Sequence, residues 1–156
     1  MPRIEAIKLG PRRTHTRAKQ ITHALNVPRI LLADDQEEVR RTVASMLEDK
    51  FAIVGLAENG KEVLAMALSR SPDVLVLDIF MPVLNGIETA VQVKASGFPV
   101  KVIFLTVHED LDFLDATMSV GALGYVLKAH LATDLIPAIQ HVLEGRVYIS
   151  PSMLSR

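Results

Sequence analysis

The chain has 156 residues, about half of them apolar (49%), which suits one ordinary domain with a real core and is cramped for two. It contains no cysteine, so disulfide frameworks, thiolate metal sites, iron–sulfur clusters and cysteine nucleophiles are excluded. No apolar run approaches the roughly 18 residues needed to span a bilayer, and the first residues lack the apolar stretch of a secretory signal; the expectation is a soluble, cytoplasmic protein without a membrane partner.

The net charge of -1 hides an asymmetry. Residues 1–29 hold seven Lys or Arg (Arg3, Lys8, Arg12, Arg13, Arg17, Lys19, Arg29) against one acid, Glu5, for a charge of +6. The remainder holds ten basic and seventeen acidic side chains, for -7. A basic N-terminal extension, residues 1–28, is thus joined to an acidic body. The arm is either a solvated extension or an element that touches nucleic acid or an acidic surface. Its Arg-rich, acid-poor start is shared with transit peptides, but the serine usual in those is missing from residues 1–29. Ala18, Ile21 and Leu25 fall at helical spacing after Thr16, which allows a short extra helix.

From Arg29 onward, short apolar runs alternate with helical patterns. Strands are predicted at Ile30–Ala33, Phe51–Leu56, Val74–Leu77, Val100–Leu105 and Leu123–Leu127. These runs are continuous rather than alternating, as in strands buried on both faces. The first intervening segment repeats Val39, Val43, Met46 and Leu47 at helix spacing, and the second Val63, Leu64, Ala67 and Leu68. In the third, 86–96, the pattern is weaker and rests on Ala90, Val91 and Lys94. Leu111, Leu114 and Met118 mark a fourth helix; Leu135, Ile136, Ile139, Val142 and Leu143 a fifth, with Pro137 expected in its first turn. Five strands each followed by a helix predict a doubly wound α/β fold around a parallel sheet, residues 29–146. Residues 147–156 read as a C-terminal tail or the start of a linker, with Ser150-Pro151 as a breaker.

Open α/β sheets bind ligands beyond the carboxyl ends of their strands, where strand order reverses. In a sheet of order 2-1-3-4-5 that point lies between strands 1 and 3. Asp34 and Asp35 follow strand 1, Asp78 follows strand 3, Thr106 and His108 follow strand 4, and Lys128 follows strand 5. Each has a plain alternative. Asp35 could cap the first helix with Glu38 completing the pair, Asp78 could form a turn, and Thr106, His108 and Lys128 could be ordinary strand-end or loop residues. Their joint placement on one rim favours a site.

Three crowded carboxylates repel: two unit charges 4 Å apart cost roughly 4 kcal/mol at an effective dielectric near 20. A hard divalent cation relieves this, and Mg²⁺ needs only a few carboxylates plus a backbone carbonyl because it keeps several waters. The cation bridges to a phosphoryl oxygen, Lys128 can neutralise a second, and the Thr106 hydroxyl can donate to a third. A central carboxylate can then act as nucleophile and form an aspartyl phosphate. No P-loop glycine motif is present, which argues against direct nucleotide hydrolysis.

These residues resemble a known family. Residues from about 29 to 145 look like the receiver domain of two-component response regulators, a flavodoxin-like fold. The resemblance rests on Asp34-Asp35, on the run Asp78-Ile79-Phe80-Met81-Pro82-Val83-Leu84-Asn85-Gly86, on Thr106, and on Gly121-Ala122-Leu123-Gly124-Tyr125-Val126-Leu127-Lys128. It implies that Asp78 accepts a phosphoryl group from a histidine kinase or phosphotransfer protein. It further implies Mg²⁺ bound by Asp35 directly, by Asp34 mainly through water, by Asp78, and by the Phe80 carbonyl. Thr106 and Tyr125 would form a switch pair, the hydroxyl moving toward the phosphoryl group while the ring turns inward. Phe80 and His108, two residues beyond Asp78 and Thr106, would flank the path of attacking water and set the phosphate lifetime.

Ala129 stands where many receivers carry proline, and Val107 where many carry a small residue. With the ending Glu144-Gly145-Arg146-Val147-Tyr148-Ile149-Ser150-Pro151, this looks like the NarL/FixJ-type subgroup, whose members usually continue into a DNA-binding helix-turn-helix. The chain is then either a receiver alone or the receiver part of a transcription regulator. DNA binding would fall to sequence beyond this chain or to the basic arm, and a phosphorylation-dependent homodimer is the expected protein contact. An aspartyl-phosphate hydrolase would want a second carboxylate two residues after the nucleophile, where this chain has Phe80. The reading is a signalling phosphoacceptor that promotes its own phosphorylation and dephosphorylation, not an enzyme.

Overall fold

The computed structural model describes residues 27–155; the basic arm up to residue 26, including the helix expected around Ala18–Leu25, lies outside the described residues. In chain order the elements are β1 (Arg29–Ala33), α1 (Glu37–Leu47), β2 (Ala52–Ala57), α2 (Gly60–Arg70), β3 (Val74–Leu77), α3 (Gly86–Ala95), β4 (Lys101–Thr106), α4 (Leu111–Ser119), β5 (Gly124–Leu127), a 3₁₀ turn (Lys128–His130), α5 (Leu131–Leu143), β6 (Tyr148–Ile149) and α6 (Pro151–Leu154). The sheet runs β2-β1-β3-β4-β5-β6, with every neighbouring pair parallel. The expected order is present, with a sixth strand added at the β5 edge. Among the described residues no helix is long and apolar enough to cross a membrane.

The continuous apolar runs feed two cores. Leu31, Ala33, Leu75, Leu77, Phe104, Tyr125 and Leu127 pack on one face with Val63 and Ala67 of α2 and Ala90 and Val93 of α3. Ile30, Leu32, Val74, Val76, Ile103, Leu105 and Val126 pack on the other with Val43 and Leu47 of α1 and Leu135, Ala138, Ile139 and Val142 of α5. Alternate positions along each strand thus go to opposite faces, as the pleat requires. Each fully buried Val, Leu or Ile contributes about 1.5–3 kcal/mol relative to exposure.

Two expectations need correction, and one alternative falls away. Pro137 lies in the middle of α5, not in its first turn. The helix begins directly after the 3₁₀ turn, earlier than its apolar stripe suggests. Lacking an N–H, Pro137 leaves the Thr133 carbonyl without its usual donor, and the buried stripe holds the helix around it. The last residues are not simply a tail: Tyr148 N donates to Leu123 O and Ser150 N to Tyr125 O, making β6. This short strand covers the β5 edge, and Met153 of α6 is buried in the same core as Tyr125. Finally, α1 is capped by Gln36 without a side-chain hydrogen bond, so Asp35 does not form a capping box with Glu38. That device belongs to α3, where Asn85 accepts from Glu88 N and the Glu88 side chain returns to the Asn85 backbone. The weakly patterned third helix therefore has the firmest start.

Candidate functional site

Sheet register assembles the site. Ala33 pairs with Leu77, so the next residues, Asp34 and Asp78, emerge side by side. Thr106 pairs with Leu127, so Lys128 leaves β5 just beyond it. Backbone bonds from Asp34 N to Ala57 O and from Asp78 N to Ala33 O (both 3.0 Å) carry the ladder to the rim.

One carboxylate oxygen from each of Asp34, Asp35 and Asp78 lies within 4.8 Å of the others. Asp34 and Asp78 are buried and Asp35 is exposed. Lys128 Nζ reaches both buried carboxylates, at 2.6 Å from Asp34 Oδ2 and 3.3 Å from Asp78 Oδ2. Asp34 is further held by Gln36 N on Oδ1 (2.9 Å) and by the Arg40 guanidinium on its main-chain oxygen (2.5 Å). Burial pushes the Asp78 carboxyl above the usual aspartate value; Lys128 opposes this, while Asp34 and Asp35 add to it. For Lys128 burial works downward, but the hydrogen bonds and charges of Asp34 and Asp78 outweigh it and hold the ammonium above its usual value.

The residues fit a hard divalent cation. Asp34 Oδ2 is buried and is paired with the Lys128 ammonium at 2.6 Å. Three carboxylates share one lysine, and an all-oxygen donor set suits Mg²⁺.

The loop after Asp78 is tightly constrained. Gly86 N donates to Ile79 O at 2.8 Å, and a Cβ on Gly86 would lie 2.0 Å from Asp78 O. Only glycine lets α3 start this close to the end of β3. Val83, a β-branched residue, sits at φ 70° in the same loop, a conformation that costs about 1–3 kcal/mol.

Thr106 and Tyr125 are joined through one backbone unit. Thr106 Oγ1 accepts from His108 N (3.1 Å), and the Tyr125 hydroxyl donates to His108 O (2.6 Å). The Tyr125 ring is fully buried, and burial, with Asp110 nearby, pushes its pKa up to about 12. Phe80 and His108 touch each other, with ring centroids 4.9 Å apart, and Phe113 of α4 completes the cluster at 5.4 Å from Phe80 and 4.6 Å from His108.

Asp34, Asp35, Asp78 and Lys128 thus meet, Thr106 stands on the strand between, and Phe80 and His108 pack on each other in the segments that follow β3 and β4. Arg40 and Phe113 were not anticipated. Arg40 follows Val39 of the apolar stripe and reads as a solvated charge. Phe113 falls outside the Leu111-Leu114-Met118 spacing, although Leu111 itself is exposed and only Leu114 of the three is buried. A pocket of about 790 Å³ lies at the opposite end of the strands beside Arg29, Asp73 and Val100, and none of the site residues lines it.

Residues 30–140 match the response regulator receiver domain family. A putative transcriptional regulator of Pseudomonas aeruginosa is 34% identical over 127 residues, covering 81% of this chain and 61% of that protein. The transcriptional regulatory protein LnrK of Bacillus subtilis is 32% identical over 130 residues, covering 82% and 59%. This chain therefore spans about three-fifths of the length of the relatives it matches. A LuxR-family two-component response regulator from Aurantimonas sp. SI85-9A1 superposes with a TM-score of 0.79 at 28% identity, covering 83% of this chain and 94% of that one. The signal receiver domain of the putative response regulator NarL from Mycobacterium tuberculosis gives 0.74 at 27%, covering 77% and 98%. With an acidic rim at the switch point of a 2-1-3-4-5 sheet and a family match over most of its length, the chain belongs to the response regulator receiver domain family.

Proposed function

We propose that this chain works in the cytoplasm and that Asp78 takes a phosphoryl group from a phosphohistidine of a histidine kinase or phosphotransfer protein. The N–P bond of the donor breaks, a bond forms from an Asp78 carboxylate oxygen to phosphorus, and the imidazole leaves with the electron pair. The observation that carries this reading is Lys128 Nζ shared between Asp34 and Asp78 amid three carboxylates. Lys128 is already at the nucleophile and needs only a small shift to neutralise an incoming oxygen. Asp35, Asp34, Asp78 and the Phe80 carbonyl are the residues to hold Mg²⁺, which when bound neutralises phosphoryl charge. The buried Asp34, tied by Gln36 N and Arg40, orients the site.

Output runs through Thr106 and Tyr125. The Thr106 hydroxyl, which accepts from His108 N, turns to donate to the phosphoryl group. Tyr125, bonded to the carbonyl of the same residue, feels the loop move. Contacts around β5 then change, with a homodimer as the result. The Phe80–His108–Phe113 cluster limits the approach of water and sets the phosphate lifetime. That this receiver serves a DNA-binding regulator is supported by relatives described as transcriptional regulators, of which it spans only part; DNA contact would then come from sequence beyond this chain, with the basic arm as the rival. We place residues 29–146 as the receiver proper.

Incubation of the full chain with acetyl phosphate and Mg²⁺, followed by intact-mass measurement, tests the reading. A single phosphoryl adduct that disappears with EDTA is expected. An adduct that forms equally well without Mg²⁺ would count against it.

A further inference from the structure

Outside the acidic rim, the described residues contain one buried polar network that the proposed chemistry does not use. Ser150 is fully buried where β6 passes into α6. Its hydroxyl donates to Asp134 Oδ2 at 2.7 Å and accepts from Leu127 N at 3.0 Å. Its own N–H donates to Tyr125 O at 2.8 Å. Asp134, in the first turn of α5, is itself buried, and its other oxygen accepts from Thr133 Oγ1 at 3.1 Å.

The geometry is specific about what this network holds. The β5–β6 ladder stops at Tyr125 paired with Ile149. The Ser150 side chain therefore takes the place of the next ladder carbonyl for Leu127 N. Leu127 is the last residue of β5, and Lys128 follows it. Beyond Lys128 the chain turns at once, with Leu131 N donating to Lys128 O. A lysine side chain is a flexible four-carbon stem, so its aim depends on a fixed root. Here that root is held on one side by Ser150 and on the other by the 3₁₀ turn. Because the Ser150 hydroxyl gives its proton to Asp134, a lone pair is left facing Leu127 N.

We infer that Ser150, oriented by Asp134, is a positioning residue for Lys128, so that the phosphoacceptor site is complete only while the segment Tyr148–Leu154 is docked on β5. The inference rests on the reading of Asp78 as acceptor and Lys128 as its cationic partner. It ties the segment leading out of the domain to the chemistry at the rim. What loosens that segment slows transfer to Asp78, because the aim of Lys128 is lost.

The test is a mutant cycle in the full chain, following the initial rate of Asp78 phosphorylation by acetyl phosphate at saturating Mg²⁺. Ser150→Ala and Asp134→Ala should each slow the reaction by about 10-fold, as loss of an orienting partner typically does. In a Lys128→Ala background Ser150→Ala should change the rate by less than about 2-fold, because the two positions act through one group. Circular dichroism establishes that each variant is folded at the assay temperature; if Ser150→Ala is not, Asp134→Ala is carried through the same cycle. An equal slowing with and without Lys128, or no slowing with Lys128 present, would overturn the inference and leave the network a purely structural clasp. Labelling undiminished by Asp78→Asn would overturn the acceptor assignment instead, and this inference with it.

Discussion

Asp78→Asn should make the metal-free protein more stable. At 4.8 Å, the outer separation of the three carboxylates, a pair of negative charges repels by about 3.5 kcal/mol at an effective dielectric of 20. Asp78 has two such neighbours. Its attraction to Lys128 at 3.3 Å is about 5 kcal/mol on the same scale, which does not cancel the pair of repulsions. Burial of Asp78 adds to the imbalance, while solvent screens the share from exposed Asp35. A net gain of about 1–2 kcal/mol remains for the uncharged amide, or roughly 2–8 °C in Tm for a chain of this size. Because burial raises the Asp78 pKa, the penalty is absent below the unfolded value of 3.8 and grows as pH rises through the folded one. Thermal unfolding followed by circular dichroism in EDTA reads the difference. The gap between variant and wild type should open from about pH 4 upward and be full at pH 7. Added Mg²⁺ should narrow it, since the wild type gains more from the cation. An Asn variant less stable than wild type in EDTA at pH 7 would refute the reasoning.

Further outcomes follow from other contacts. Gly86→Ala places a Cβ against Asp78 O, so it should lower stability by at least about 1–3 kcal/mol and slow phosphorylation; denaturant titration and labelling rate check both. Tyr125→Phe leaves the His108 carbonyl without its donor, an expected loss of about 1–3 kcal/mol by urea titration. In a Tyr148→Phe background, Tyr125 should ionise near pH 12, as read by tyrosinate absorbance; its contribution, full below pH 10, is lost as pH rises through 12. Replacing Phe80 and His108 together by small residues should shorten the phosphorylated lifetime, and an unchanged half-life would remove the aromatic cover from the account.

Most of this architecture was readable because strands buried on both faces leave continuous apolar runs such as Val74–Leu77, and such runs need no partner to be seen. The rim residues were readable because register converts strand-end positions into neighbours: Asp34, Asp78, Thr106 and Lys128 are far apart in sequence but follow one another along one edge of the sheet. What escaped has a physical reason. β6 consists of two residues paired through backbone alone, too short for a period. Pro137 signalled a helix start because its missing N–H is tolerated there, and only the packing of Leu135, Ala138, Ile139 and Val142 explains its place inside α5. Arg40 acts on a main-chain oxygen, Phe113 acts through ring contacts off the helix stripe, and the Ser150–Asp134 bond links residues sixteen apart on different elements. None of these leaves a pattern in the local sequence.

The most direct test of the central claim is to locate the phosphoryl group. The full chain is phosphorylated with acetyl phosphate and Mg²⁺, the acyl phosphate is trapped by borohydride reduction, and the reduced residue is mapped by tandem mass spectrometry. The account predicts conversion at Asp78 in the wild type, and no conversion at Asp34, at Asp35 or anywhere in Asp78→Asn. Conversion at a different residue in the wild type, or labelling of Asp78→Asn at the wild-type level, would contradict it.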